Sequence, residues 1–120
     1  MVEKVRVADK FELFGEYWSP KIISELNDFY VKAVKVKGEF VWHDHETEDE
    51  LFYVVKGRLR IKLRDGEITL APGEFAVIPR QVEHLPSAEA ETHILLLEPK
   101  TTVNTGSASS ERRVDALERI

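Results

Sequence analysis

The order of hydrophobic and polar residues predicts strands along most of the chain. From Phe29 to Lys37, apolar residues interleave with Lys32, Lys35 and Lys37, as in a strand with one wet face. From Arg58 to Arg64 the alternation is strict: Leu59, Ile61 and Leu63 are separated by Arg58, Arg60, Lys62 and Arg64. Asp65-Gly66 then marks a hairpin, with Glu67 to Leu70 as the returning strand. Further strands are expected over Glu39 to His45, Leu51 to Lys56, Phe75 to Ile78 and Thr92 to Glu98, with a turn at Ala71-Pro72-Gly73 and a loop from Pro79 to Glu83. No stretch between residues 21 and 99 has a helical period. Short strands closely spaced by turns indicate an all-β sandwich or barrel, and a jelly roll is the version with room inside for a ligand.

The two ends differ from this middle. Residues 1–20 form an arm in which Phe11, Phe14, Tyr17 and Trp18 fit one or two helical turns. Asp9 is the expected N-cap, and Ser19-Pro20 ends the helix. Its aromatic residues are expected to pack on the barrel. Residues 100–120 begin as a small, polar linker. They end with Val114, Leu117 and Ile120 at the spacing of a short helix, too short to persist alone in water.

Composition narrows the functional classes. One domain accounts for 120 residues, and such a domain buries roughly two-thirds of its unfolded surface without a disulfide. The chain has no cysteine, so thiolate is excluded as ligand and nucleophile. A net charge of −5 without a basic cluster argues against nucleic acid as a partner. The longest purely apolar run is Ile94 to Leu97, and the N-terminus has no signal-like core, so a cytoplasmic protein without a membrane span is expected.

Candidate chemistry lies between these strands. His43 and His45 are two residues apart, which in a strand puts both imidazoles on one face about 7 Å apart. Glu50 follows an acidic turn, Glu46 to Asp49, and opens a strand that can return its carboxylate to the histidines. His84 comes from a later loop and strand. Three imidazoles and a carboxylate suit a divalent transition metal (Fe, Mn, Ni, Zn, Co or Cu) better than Ca or Mg. With four protein ligands, an octahedral metal keeps two open positions and a tetrahedral one keeps none. His93, in a strand of Ile and Leu, is expected to be satisfied locally rather than to act as a ligand.

Gly38-Glu-Phe-Val-Trp-His43-Asp-His45-Glu-Thr-Glu-Asp-Glu50, followed after six residues by Gly57, resembles the first motif of the cupin family. Gly73-Glu-Phe-Ala-Val-Ile-Pro79-Arg-Gln-Val-Glu-His84 resembles its second. Three departures stand out. Four residues rather than five separate Gly38 from His43, Gln81 replaces a glycine, and Ala88 stands where an asparagine often does. None is at a ligand position. The resemblance implies a double-stranded β-helix, the jelly-roll cupin barrel, over residues 21–99, with His43, His45, Glu50 and His84 as metal ligands.

Parity along the strands places Val41, Phe52 and Val54 on the cavity wall with His43, His45 and Glu50, and Phe40 and Trp42 outside. Phe75 is a further candidate wall residue, and Arg80 could reach the mouth. Such a cavity suits a small, largely apolar or aromatic ligand. The resemblance implies a dioxygenase or a sugar isomerase or epimerase, with Glu50 also the candidate to move a proton. A non-enzymatic binding or sensing protein and a metal-free barrel are the alternatives. The aromatic arm and outward Phe40 and Trp42 lead to an expected homodimer.

Overall fold

The computed structural model describes residues 2–120. One short helix, α1 (Val7–Phe11), precedes eight strands: β1 (Lys21–Leu26), β2 (Phe29–Glu39), β3 (Glu50–Lys56), β4 (Leu59–Leu63), β5 (Gly66–Leu70), β6 (Phe75–Ile78), β7 (His84–Pro99) and β8 (Glu118–Arg119). The strands are ordered β5-β4-β7-β2-β1-β8, and β3 joins β7 to β6. The architecture is an all-β jelly-roll barrel.

Strand β7 organises it. Along one edge β7 pairs with β2, from Phe29 opposite Pro99 to Glu39 opposite Ser87. Along the other edge its first residues pair with β4, Leu63 opposite His84, and its later residues with β3, Leu51 opposite Leu97. The β2–β7 register breaks between Val36 and Gly38, where β7 carries two extra residues. The chain turns there from one face of the barrel to the other, with Glu89 to Glu91 exposed at the corner. Inward-facing Val34, Val36, Val54, Leu59, Ile61 and Ile94 fill the interior. The arm lays Phe11 and Phe14 on the outer face, against Ala33, Val55 and Leu95.

Several expectations are corrected. The helix is capped at Arg6 rather than Asp9, with no side-chain hydrogen bond at the cap. Residues 40–49 are not a strand: beyond β2 only an isolated bridge joins His43 to His84. Residues 110–120 are not helical but run as turns into β8, which adds parallel to β1. A helix this short is marginal unless packing supports it, as burial of Phe11 supports α1, whereas pairing with an existing strand edge needs no new nucleus. Lys32 does not face water: it shares the inward parity of Val34 and Val36 and is 1% exposed. No described helix is long and apolar enough to cross a membrane.

Candidate metal centre

Three backbone devices bring the site together. The loop after β2 is tied to the start of β7 by reciprocal bonds, His43 N–H to His84 O at 3.1 Å and His84 N–H to His43 O at 2.9 Å. Gln81 N–H donates to His45 O at 2.7 Å. Asp49 accepts from Arg80 N–H at 2.9 Å, clamping the acidic turn to the loop before His84. Glu50, the first residue of β3, enters from the facing strand. The donor atoms of His43, His45, Glu50 and His84 all lie within 4.8 Å of one another, and all four residues are buried.

The hydrogen-bond pattern prepares these atoms for a cation. His43 Nδ1–H donates to Val41 O and His84 Nδ1–H to Val82 O, each at 2.9 Å. A neutral imidazole has one N–H, so each ring's Nε2 carries a lone pair. His84 Nε2 nevertheless lies 3.3 Å from Glu50 Oε1, with no proton of its own to donate. His45 Nε2 is 3.4 Å from the same oxygen, and neither nitrogen of His45 makes a hydrogen bond. Lone pairs aimed at a buried carboxylate repel unless a cation lies between them, and a backbone bond from Nδ1 is the usual support of a metal-bound histidine. The residues therefore fit a transition metal.

Ionisation states agree with this. Burial, reinforced by nearby His84, lowers the pKa of His43 to about 4, so it is neutral at physiological pH. Burial alone would raise Glu50, but its close polar contacts with Glu98, His45 and His84 outweigh that and hold the carboxyl well below the usual range. Glu50 is the anion of the cluster, and His43 is a neutral member.

A small chamber adjoins His43 and Glu50. Its walls include Trp18, Phe40, Phe52, Ile94, Leu96 and Asn104, and its free volume is about 30 Å³, room for one or two waters. Phe52 faces the chamber. Val54 is buried deeper in the core and Val41 is half-buried beside it. Phe40 faces in, not out: without a strand between β2 and the histidines, alternation does not carry across the loop, and Phe40 stacks on Trp18 at 4.8 Å. Phe75 is 61% exposed on the outer face of β6, so it does not line the cavity. Arg80 is drawn to Asp49, 3.3 Å away, instead of to the mouth. The guanidinium of Arg112 lies 5.8 Å from the Trp18 ring and 6.0 Å from the Phe40 ring.

Sequence reasoning missed Trp18, Asn104 and Arg112, which come from the two ends of the chain and carry no local signal. It also missed Lys32 and Glu98, which do. Each is a charged residue on the mostly apolar inward face of its strand. His93 is satisfied locally: Nε2 lies 2.7 Å from Glu91 Oε2 and its ring stacks on Phe11.

Known proteins are similar to this chain. The family model described as Cupin domain matches residues 30–98. The solved structure of a cupin-2 domain containing protein from Shewanella frigidimarina is 51% identical, covering 80% of this chain and 94% of that one, with a TM-score of 0.79. Protein NMB1881 from Neisseria meningitidis is 31% identical over 82% of this chain and 100% of its own, with a TM-score of 0.75. The uncharacterized protein YdbB of Bacillus subtilis is 37% identical over 79 residues, 65% of this chain and 70% of YdbB.

Proposed function

The chain belongs to the cupin domain family, and from that premise we propose that it is a metal-dependent enzyme acting on a small, mostly apolar molecule with adjacent oxygen donors. The observation that carries this reading is the buried cluster of three imidazoles and one carboxylate whose lone pairs converge beside an apolar chamber. His43, His45, Glu50 and His84 would hold the ion. A divalent transition metal bound there supplies a Lewis acid for substrate oxygens and, if redox-active, a partner for dioxygen.

The protein's own part is confinement. Trp18, Phe40, Phe52, Ile94 and Leu96 exclude bulk water and offer no set of hydroxyl partners for a sugar. That favours a dioxygenase-type reaction on an aromatic diol or a diketone over sugar isomerisation. Glu50 is the one acid on the chamber wall and is ionised, so it is the group assigned to accept a substrate proton. The second reading, a metal site without turnover, is favoured by the small free volume of the chamber, which admits water but not an aromatic ring.

Metal content of protein purified without chelator or affinity tag, beside His43→Ala and His84→Ala, tests this. About one Fe, Mn, Ni or Cu per chain, lost in both variants, is expected, together with dioxygen uptake on adding catechols, hydroquinones or diketones. Bound zinc with no oxygen uptake would turn the reading to isomerisation or storage. No metal after reconstitution would end it.

We also assign the protein a homodimeric state, on a different surface from the one suggested by sequence. Phe40 is buried, but Phe75 and Val77 on β6 stand 61% and 50% exposed beside Leu51 and Tyr53 of β3, an apolar patch on the barrel's outer face.

A further inference from the structure

Strands β3 and β7 run antiparallel with Leu51 opposite Leu97 and Phe52 opposite Leu96. One step further in that register, Glu98 stands opposite Glu50, and both are buried, 0% and 3% exposed. Two acids directly opposite on one face of a sheet oppose pairing, and burial aggravates the cost. What compensates comes from the other neighbour of β7. Strand β2 places Tyr30 opposite Glu98 and Lys32 opposite Leu96, so Lys32 reaches Glu98 along the diagonal. Its Nζ donates to Glu98 Oε1 at 2.7 Å, with both side chains 1% exposed.

The second oxygen of Glu98 is buried without a hydrogen bond from any described donor. The remaining group its carboxyl meets is that of Glu50. Two buried carboxyls side by side repel, and the Lys32 charge offsets that repulsion and fixes Glu98 in place behind Glu50. Stability does not explain this arrangement, since replacing a buried ion pair with apolar residues is often neutral or stabilising. Its location does: it stands directly behind the carboxylate of the candidate metal centre.

We propose that Lys32 and Glu98 are positioning residues of that centre, Lys32 anchoring the Glu98 carboxyl and Glu98 holding the Glu50 carboxylate toward His45 and His84. The inference rests on the metal reading above. Partners behind metal ligands typically contribute 10–100-fold to affinity, and that is the effect expected.

The test is cobalt(II) titration followed by visible absorption, on the full chain and on Lys32→Met/Glu98→Leu, Glu98→Gln and His84→Ala, with melting temperatures in parallel. The double variant is expected to melt at or above the wild-type temperature, yet to bind cobalt about 10–100-fold more weakly, with displaced d–d bands. Glu98→Gln keeps an acceptor for Lys32 and a donor for Glu50, so it should bind within about threefold of wild type with the same spectrum. A folded double variant with wild-type affinity and spectrum would overturn the proposal. So would a tenfold loss in Glu98→Gln, which decides the matter should the double variant not fold. Wild-type protein that takes up no cobalt would overturn the metal centre itself, and the inference with it.

Discussion

His43 and His84 use one local device, a ring N–H donated to the carbonyl two residues earlier, which leaves the other ring nitrogen for the donor cluster around Glu50. The cost of burying His43 beside another imidazole appears in its lowered pKa, about 4 against 6.5. In metal-free protein the unfolded chain takes up this proton near pH 6.5, while the folded chain resists it until about pH 4. The stability His43 allows is therefore complete above pH 6.5 and is lost as pH falls toward 4, by on the order of 3 kcal/mol. Urea unfolding of chelated protein between pH 7.5 and 4.5 should show this slope, and His43→Gln should lack it. Gln81 makes a second case. It occupies the motif glycine's place with φ 67°, a conformation costly for a side chain with a Cβ. Gln81→Gly is expected to stabilise the protein by about 0.5–1 kcal/mol, allowing for glycine's greater unfolded entropy, as read from its urea midpoint. Destabilisation would show that the Gln81 side-chain bond to Glu46 O matters more than the strain.

At the scale of elements, the turn from β3 to β4 and the C-terminal tail each depend on a glycine. Gly57 has φ 94° and lies so close to β7 that an added Cβ would stand 2.5 Å from Thr92 Oγ1. That hydroxyl accepts from Arg58 N–H and donates to Arg58 O or Ala90 O, tying the turn to the bent part of β7. Gly106 is tighter: φ is 56° and a Cβ would lie 2.0 Å from Asp44 O, a backbone atom that cannot rotate away. The tail is held there by Ser107, whose N–H and hydroxyl both bond Asp44. Gly106→Ala should release the tail at a cost of about 1–3 kcal/mol. Amide exchange should quicken over residues 102–108 while β2 and β7 stay protected. Unchanged exchange there would mean that the Asp44 loop yields instead.

For the whole molecule, the outer face of the sheet is covered unevenly. Phe11 and Phe14 of the arm cover the part around Ala33 and Leu95, and the part around Phe75 and Val77 is open. A twofold pairing of this open face would bury it without rearranging the barrel. Light scattering at micromolar concentration is expected to give twice the 13.8 kDa chain mass. Phe75→Glu with Val77→Lys should return the mass to one chain while leaving metal content unchanged, since neither side chain reaches the chamber. A wild-type monomer at high concentration would refute the dimer.

Strand periodicity and the motif spacing were enough to identify an all-β barrel and to single out His43, His45, Glu50 and His84, because both signals are local. Alternation records which face of a strand is dry, and the motifs record which residues recur around a bend. The sequence also held, unread, the inward parity of Lys32 and Glu98. Other features depended on tertiary structure. Phe40 turned inward because the chain beyond Glu39 leaves the sheet, where alternation no longer predicts facing. Phe75 turned outward because the β3–β6 register sets it opposite Tyr53 on the outer face, leaving Ala76 and Ile78 inside. Arg80 was taken by Asp49, and part of the chamber wall was supplied by Trp18 and Asn104 from opposite ends of the chain. Such choices are settled by which partners the closed barrel brings within reach, and sequence spacing contains no measure of that distance.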